Sequence, residues 1–306
     1  MYKAIIIENL SKMYKNNRGI QDINLEIEQG EIFGFLGHNG AGKTTAMKIM
    51  VGLMKADKGD VKINGFSITH DYEKAMKDVG CIIENVTPFP YLTAYENMQL
   101  RGRFKKQVDE TQIDECLSIT GIMKFKNEKI INYSLGMKQR LGIALAILSN
   151  PKVIILDEPF NGLDVEGMVE MRQLITDLSK QQKTTFFISS HLIHDIELTC
   201  NRVGILCNGK LICVDSNNNI LQNYSSLENY YLSEVEAVYI NEIFKISKKK
   251  KITSVFIFTI ISVILSAIAV YSLNNFAGIR ITGSSEFSIM VLTILSYSVF
   301  PLFTSF

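Results

Sequence analysis

The chain has 306 residues, enough for about two domains, the larger with a well-buried core. Its 32 basic and 31 acidic residues give a formal net charge of +1, which argues against a nucleic-acid binder, since that class carries a strong basic excess. A mean hydropathy of +0.13 is high for a chain with 21% charged residues, and most of the excess lies after Lys251.

Five cysteines (Cys81, Cys116, Cys200, Cys207, Cys213) form no C-x-x-C pair and are odd in number, so they read as reduced core thiols. The opening run Ala4-Ile5-Ile6-Ile7 is closed by Glu8 and is too short for a secretory signal, which keeps the following segment in the cytosol. Short β-like runs come first. Ile23-Asn24-Leu25-Glu26-Ile27-Glu28 alternates with period two, as expected of a half-exposed antiparallel strand after the turn Asn16-Asn17-Arg18-Gly19. Tyr14, just before that turn, reads either as a stacking platform or as an ordinary half-buried tyrosine.

The apolar run Ile32-Phe33-Gly34-Phe35-Leu36 then leads through Gly37-His38-Asn39-Gly40-Ala41-Gly42-Lys43-Thr44 into the helix-compatible Thr45-Ala46-Met47-Lys48-Ile49-Met50. Strand, glycine-rich loop and helix opened by Lys-Thr is the context that a phosphate-binding loop requires. Glycines let backbone N–H groups curl round a polyphosphate, and the helix N-terminus adds partial positive charge. Lys43 then reaches the β- and γ-phosphates, while the Thr44 hydroxyl takes a place on Mg²⁺.

Val61-Lys62-Ile63-Asn64-Gly65 reads as a strand and turn, and Val79-Gly80-Cys81-Ile82-Ile83 as a short core strand ending in Glu84. An acid at the C-terminal end of such a strand is either ligand chemistry or a surface residue. From Pro88 to about Asn132 the pattern turns helical, with Thr93 and Glu96 spaced as a capping box, which predicts an inserted helical subdomain.

Tyr133-Ser134-Leu135-Gly136-Met137-Lys138-Gln139-Arg140 opens another helix, with Leu141, Leu145 and Leu148 on one face. Alone, this is equally an anion site and a capped core helix. The buried strand Val153-Ile154-Ile155-Leu156 ends in Asp157-Glu158-Pro159. Adjacent acids there are costly without a cation or polar ligand, so Asp157 is expected to hold Mg²⁺ and Glu158 to polarise the attacking water. After the turn Phe160-Asn161-Gly162-Leu163-Asp164, a helix is expected through Leu178. A strand Thr185-Phe186-Phe187-Ile188 then ends in Ser189-Ser190-His191. His191 and His194 lack the spacing for two zinc ligands on one helix face; His191 reads as a γ-phosphate contact and His194 as surface.

This ordered set, over about residues 2–215, resembles the ATPase subunit of an ABC transporter. The resemblance implies an α/β P-loop nucleoside-triphosphatase (RecA-like) core with an antiparallel β subdomain and a helical subdomain. It implies ATP and Mg²⁺ as ligands, an adenine platform at Tyr14, and nucleotide contacts from Gly37 through Thr45. It also implies a head-to-tail pair of ATPases, a homodimer or a paired cassette, in which Ser134 and Gly136 close on the partner's nucleotide, and a nucleotide contact from Asp164 in the turn that stands as in the family. Leu135 and Met137 depart from the usual Leu-Ser-Gly-Gly-Gln signature, and Glu84 replaces the usual glutamine, so Glu84 is expected near Mg²⁺ or the water. Both replacements are similar to the bacitracin-resistance and lantibiotic-immunity branch, which implies export of a peptide antibiotic or similar amphipathic compound.

Residues 216–247 are expected as a linker. Lys248-Lys249-Lys250-Lys251 precedes an uncharged run from Ile252 to Leu273, which as a helix spans ~33 Å against a hydrocarbon core of ~30 Å. The lysines hold its start in the cytosol against anionic lipid headgroups. A second span is expected over 287–306. The stretch from Ile240 into the first span resembles the opening of an ABC-2-type permease, so the chain reads as an ATPase fused to the first part of a permease and working with a further permease subunit at the cell membrane. The alternative is a membrane-tethered regulatory or truncated fusion protein with no transport activity of its own.

Overall fold

The computed structural model describes residues 2–15, 18–84, 88–103 and 108–240. Both expected membrane spans and the four lysines before them lie outside the described residues. Among the described residues no helix is long and apolar enough to cross a membrane. The chain divides into two compact units, Met1–Val235 and Glu236–Phe306, and the architecture below is that of the first.

Two sheets build this unit. The first is antiparallel, with β1 (Lys3–Met13) between β2 (Gly19–Glu28) and β4 (Lys58–Ile63), and β5 (Phe66–Ser67) at its edge. The period-two reading of β2 holds: Ile23, Leu25 and Ile27 are buried and Asn24 and Glu26 exposed. The second sheet has the order β10-β9-β3-β8-β7-β6, with β3 (Ile32–Leu36), β6 (Val79–Ile82), β7 (Val153–Asp157), β8 (Thr185–Ser190), β9 (Arg202–Cys207) and β10 (Lys210–Ser216). All its pairings are parallel except the β9–β10 hairpin.

Strands β3 and β7 are buried at every residue, because both faces of the sheet are covered. Phe33, Phe35, Ile155 and Phe187 point into a core shared with the antiparallel sheet and α1 (Lys43–Met50). Ile32, Leu36, Ile154, Leu156, Phe186 and Ile188 point into a second core, with α5 (Leu135–Ile147), α6 (Val165–Gln182) and α7 (Ile193–Thr199). Gly34 lets α7 approach: a Cβ there would lie 2.7 Å from the Ile196 side chain. A short helix, α2 (Tyr72–Met76), precedes β6.

The helical subdomain contains α3 (Ala94–Gly102) and α4 (Glu110–Ile119) and packs through Met98, Ile113 and Leu117 on to the α5 side of the core. Its capping box forms as spaced: the Glu96 amide donates to Thr93 Oγ1 at 3.1 Å and the Thr93 amide to Glu96 Oε2 at 2.7 Å. Helix α6 runs a turn beyond Leu178, to Gln182, and closes on Lys183 in the left-handed region. Burial pushes the thiol of Cys116 up to about 12 and that of Cys213 up to about 11, which makes both poor nucleophiles.

The expected linker is corrected over its first twenty residues, which fold into the first unit. Helix α8 (Asn217–Asn223) follows β10 directly, capped by Ser216. The Asn217 side chain donates to the carbonyls of Glu197 and Cys200 at 2.8 Å each, and the Leu227 amide donates to Glu197 Oε2 at 2.6 Å. Ile220, Leu227 and Tyr230 are buried. The asparagine run looked like a polar break because the apolar residues that anchor it are widely spaced.

Phe187 is fully buried, with its ring centroid 5.7 Å from that of Phe33 and 5.2 Å from that of Phe35. Phe187→Ala is expected to lower unfolding free energy by about 3–5 kcal/mol, the cost of lost burial plus a cavity, as measured by denaturant titration.

Candidate functional site

Parallel register sets the site. β3, β7 and β8 pair so that Leu36 lies opposite Ser190 and Asp157 opposite Ser189, and β6 pairs Ile82 with Leu156. The loop at Gly37, the acids Asp157 and Glu158, the segment Ser189–His191 and Glu84 therefore leave the sheet at one edge, where open α/β sheets bind ligands.

The glycine-rich loop needs its glycines. Gly40 and Gly42 have φ of 82° and 111°, and a Cβ on Gly42 would lie 2.6 Å from the Ile20 side chain. Gly37 and Ala41 are buried beneath the loop, whereas His38, Asn39 and Gly40 are exposed. The His38 ring stays local, with Nδ1 2.8 Å from the Asn39 carbonyl.

Lys43 opens α1 with its side chain only 5% exposed. Its Nζ donates to the Gly37 carbonyl at 2.6 Å and lies 3.1 Å from Glu158 Oε1. Glu158 Oε2 lies 2.9 Å from His191 Nδ1 and accepts the His191 amide at 3.3 Å. Lys43, Glu158 and His191 thus form one connected row. They line a cleft of about 380 Å³ together with Tyr14, Thr44 and Asn161. Gly40, Gly42, Asn39 and Thr45 supply its loop side.

Tyr14 forms the wall on the antiparallel-sheet side. Its hydroxyl donates to Met54 Sδ at 3.3 Å and lies 3.5 Å from Thr45 Oγ1. The residue is 40% exposed.

Asp157 is buried. Its Oδ1 accepts the Ser189 hydroxyl at 2.5 Å, and its Oδ2 accepts the Glu84 amide at 3.4 Å. The hydroxyl of Thr44 and the carboxylate of Asp157 are hard oxygen donors, the type Mg²⁺ takes, and the weak second contact leaves Oδ2 with acceptor capacity. The donor set fits that ion. Glu84 departs from expectation: it reaches Asp157 through its backbone, while its carboxylate turns to Lys48 Nζ at 2.5 Å. Its φ of 65° puts it in the left-handed region, which directs the side chain towards α1.

Six expected nucleotide residues are not among those lining the cleft: Gly37, His38 and Ala41 of the loop itself, and Ser134, Gly136 and Asp164. Ser134 caps α5 through the Met137 amide at 3.2 Å and Asp164 caps α6 through the Gly167 amide at 2.9 Å; both are exposed. Gly136 packs 3.6 Å, measured from its would-be Cβ, from Leu163 Cδ2, so the α5 terminus sits on the Phe160–Asp164 turn. His194 is exposed, as expected. Sequence reasoning missed Lys48, Asn161 and Ser189. Ser189 had one available signal, its place at the end of an apolar strand two residues before His191.

The family described as ABC transporter matches residues 20–161. The uncharacterized ABC transporter ATP-binding protein YhcH of Bacillus subtilis is 44% identical over 216 residues, covering 71% of each chain. The bacitracin transport ATP-binding protein BcrA of Bacillus licheniformis is 41% identical over 212 residues, covering 69% of each. The lantibiotic transport ATP-binding protein SrtF of Streptococcus pyogenes is 35% identical, covering 67% of this chain and 88% of that one. Among solved structures, the dimeric structure of MJ0796, a bacterial ABC transporter cassette, superposes with a TM-score of 0.63 at 27% identity, covering 70% of this chain and 98% of that one.

The Lys48–Glu84 pair is half open to solvent, with side-chain exposures of 27% and 59%. Glu84→Gln is therefore expected to change unfolding free energy by less than ~1 kcal/mol, as surface ion pairs do. A loss well beyond that in denaturant titration would show that the pair holds the fold.

Proposed function

The chain belongs to the ATP-binding proteins of ABC transporters, and from that premise we propose that its ATP hydrolysis powers export of a peptide antibiotic or a similar amphipathic compound. It is an ABC ATPase with the fold of ATP-hydrolysing cassettes. The observation that carries the mechanism is the row Lys43–Glu158–His191 at the mouth of the phosphate-loop cleft.

In that mechanism a polyphosphate seated on the backbone N–H groups of Gly40 to Thr45 takes over the Lys43 ammonium. Glu158 Oε1 thereby loses its partner and becomes free to accept a proton from water. His191, bonded to Oε2 through Nδ1, keeps the carboxylate aimed and itself contacts the γ-phosphate. Thr44 and Asp157 would hold Mg²⁺, which when bound neutralises charge on the phosphates. Tyr14 carries the adenine. The Glu84 backbone steadies Asp157, and release of its carboxylate from Lys48 would bring a further acid to the metal or water.

Ser134, Gly136 and Asp164 complete the site of a second ATPase, head to tail. The exposure of Ser134 and Asp164 at the N-termini of α5 and α6, and the absence of all three from the lining of this chain's own cleft, support that arrangement. The substrate class rests on likeness to BcrA and SrtF. The membrane assignment rests on sequence: Lys248–Lys251 at a cytosolic, lipid-facing start, then 252–273 and 287–306 as spans. An ABC-2-type permease subunit completes the path, and no nucleic acid is involved.

Glu158→Gln is expected to keep ATP binding and lose about 10²–10⁴-fold in turnover, the usual worth of general-base catalysis. Steady-state hydrolysis and equilibrium ATP binding check it. In cells, the parent chain but not this variant should restore resistance to a bacitracin-type peptide in a strain lacking the gene; restoration by neither would rule out that substrate class. Fractionation of expressing cells should leave the full chain in membranes after alkaline carbonate washing, and its release into the supernatant would remove the spans.

A further inference from the structure

Ser189 has no role in the scheme above, yet it touches both acids. It is fully buried at the penultimate position of β8, opposite Asp157 in the parallel ladder. Its Oγ donates to Asp157 Oδ1 at 2.5 Å and accepts the Glu158 amide at 3.0 Å. The polarity of this relay is forced: a backbone amide can only donate, so the serine hydrogen is left for the carboxylate. One hydroxyl is thus shared between the expected metal-holding acid and the expected general base.

We propose that Ser189 is a positioning residue for ATP hydrolysis, its hydroxyl fixing the Asp157 carboxylate and the Glu158 backbone in one rigid arrangement. The proposal rests on the roles given above to those two acids. Glu158 is a non-glycine residue at φ 51°, a conformation that persists only where its surroundings hold it. Two atoms of Ser189 do so, because the Glu158 amide also donates to the Ser189 carbonyl at 3.2 Å. That turn throws the Glu158 side chain back to Lys43 and His191. The other Asp157 oxygen takes the Glu84 amide, so the Ser189 hydroxyl is the shorter of the two bonds that orient this carboxylate. The phosphate contacts in the scheme come from the loop, Lys43 and His191, whereas the Ser189 hydroxyl bonds to Asp157 and the Glu158 amide. Its loss should therefore register in turnover before it registers in nucleotide affinity.

The test compares Ser189→Ala, Ser189→Cys and Ser189→Thr in the full chain, reconstituted in lipid nanodiscs, with Glu158→Gln as control. Alanine removes the hydroxyl, cysteine keeps the volume with a weak hydrogen-bonding group, and threonine keeps the hydroxyl. Three quantities are read: kcat for ATP, equilibrium ATP affinity in EDTA, and melting temperature. Alanine and cysteine are expected to lower kcat about 10- to 100-fold, the worth of a hydrogen bond to a charged group, with metal-free ATP affinity within about threefold of the parent. Threonine should recover most of the kcat. If alanine does not fold, the cysteine and threonine variants carry the same comparison. A kcat within about twofold of the parent for the hydroxyl-less variants, while Glu158→Gln is inactive, overturns the role of Ser189 alone. Equal losses in cysteine and threonine at unchanged melting temperature also overturn it. Full activity in Glu158→Gln would instead sink the reading of the acids on which the proposal stands.

Discussion

A buried ammonium group organises this molecule. Lys43 is almost wholly out of solvent, and a charge in that position is tolerable only with close partners. The chain supplies the Gly37 carbonyl from its own loop and the Glu158 carboxylate from a strand more than a hundred residues away. That carboxylate follows the sharp turn after β7, where the Glu158 amide donates to both the hydroxyl and the carbonyl of Ser189 from β8. The phosphate loop, the acidic strand end and His191 are therefore one connected polar unit and not three separate motifs. In the proposed mechanism a polyphosphate competes with Glu158 for Lys43, so that nucleotide occupancy is coupled to the position of that carboxylate.

The rest of the unit serves this edge of the sheet from different sides. The antiparallel sheet shares a core with α1 through Phe33, Phe35 and Phe187, and it carries Tyr14 to the cleft wall. The helical subdomain packs on the opposite face and presents the α5 N-terminus outward, with Ser134 spent on capping and exposed. Helix α7 begins two residues after His191, and its C-terminal half is tied by Asn217 and Leu227 to the segment that follows β10. The helix that follows His191 and the segment leading towards the end of the unit thus share hydrogen bonds.

The sequence made most of the fold legible, because period and punctuation are local properties. Alternation in β2, unbroken apolar runs in β3 and β7, and the Thr93–Glu96 capping box each reappear as read. It was less informative where burial depends on distant partners. Residues 216–235 looked like a polar connection, since nothing local to Asn217 reveals that its side chain will satisfy two carbonyls at the end of α7. Glu84 illustrates the same limit within the site. Its placement at a strand end was readable, but the direction of its carboxylate depends on a left-handed backbone angle and on Lys48 lying alongside.

What the amino-acid order determined by itself is the inventory: a glycine-rich loop, paired acids, a histidine at a strand end and a family resemblance, each defined by residues adjacent in the chain. Strand order and register are long-range, and only they decided that Asp157 faces Ser189, that Glu158 reaches both Lys43 and His191, and that Ser134 is not in the lining of its own chain's cleft. A side chain's type is written at one position, whereas its partners are chosen by the packing of the whole sheet, and so the chemistry could be named before folding but assembled only after it.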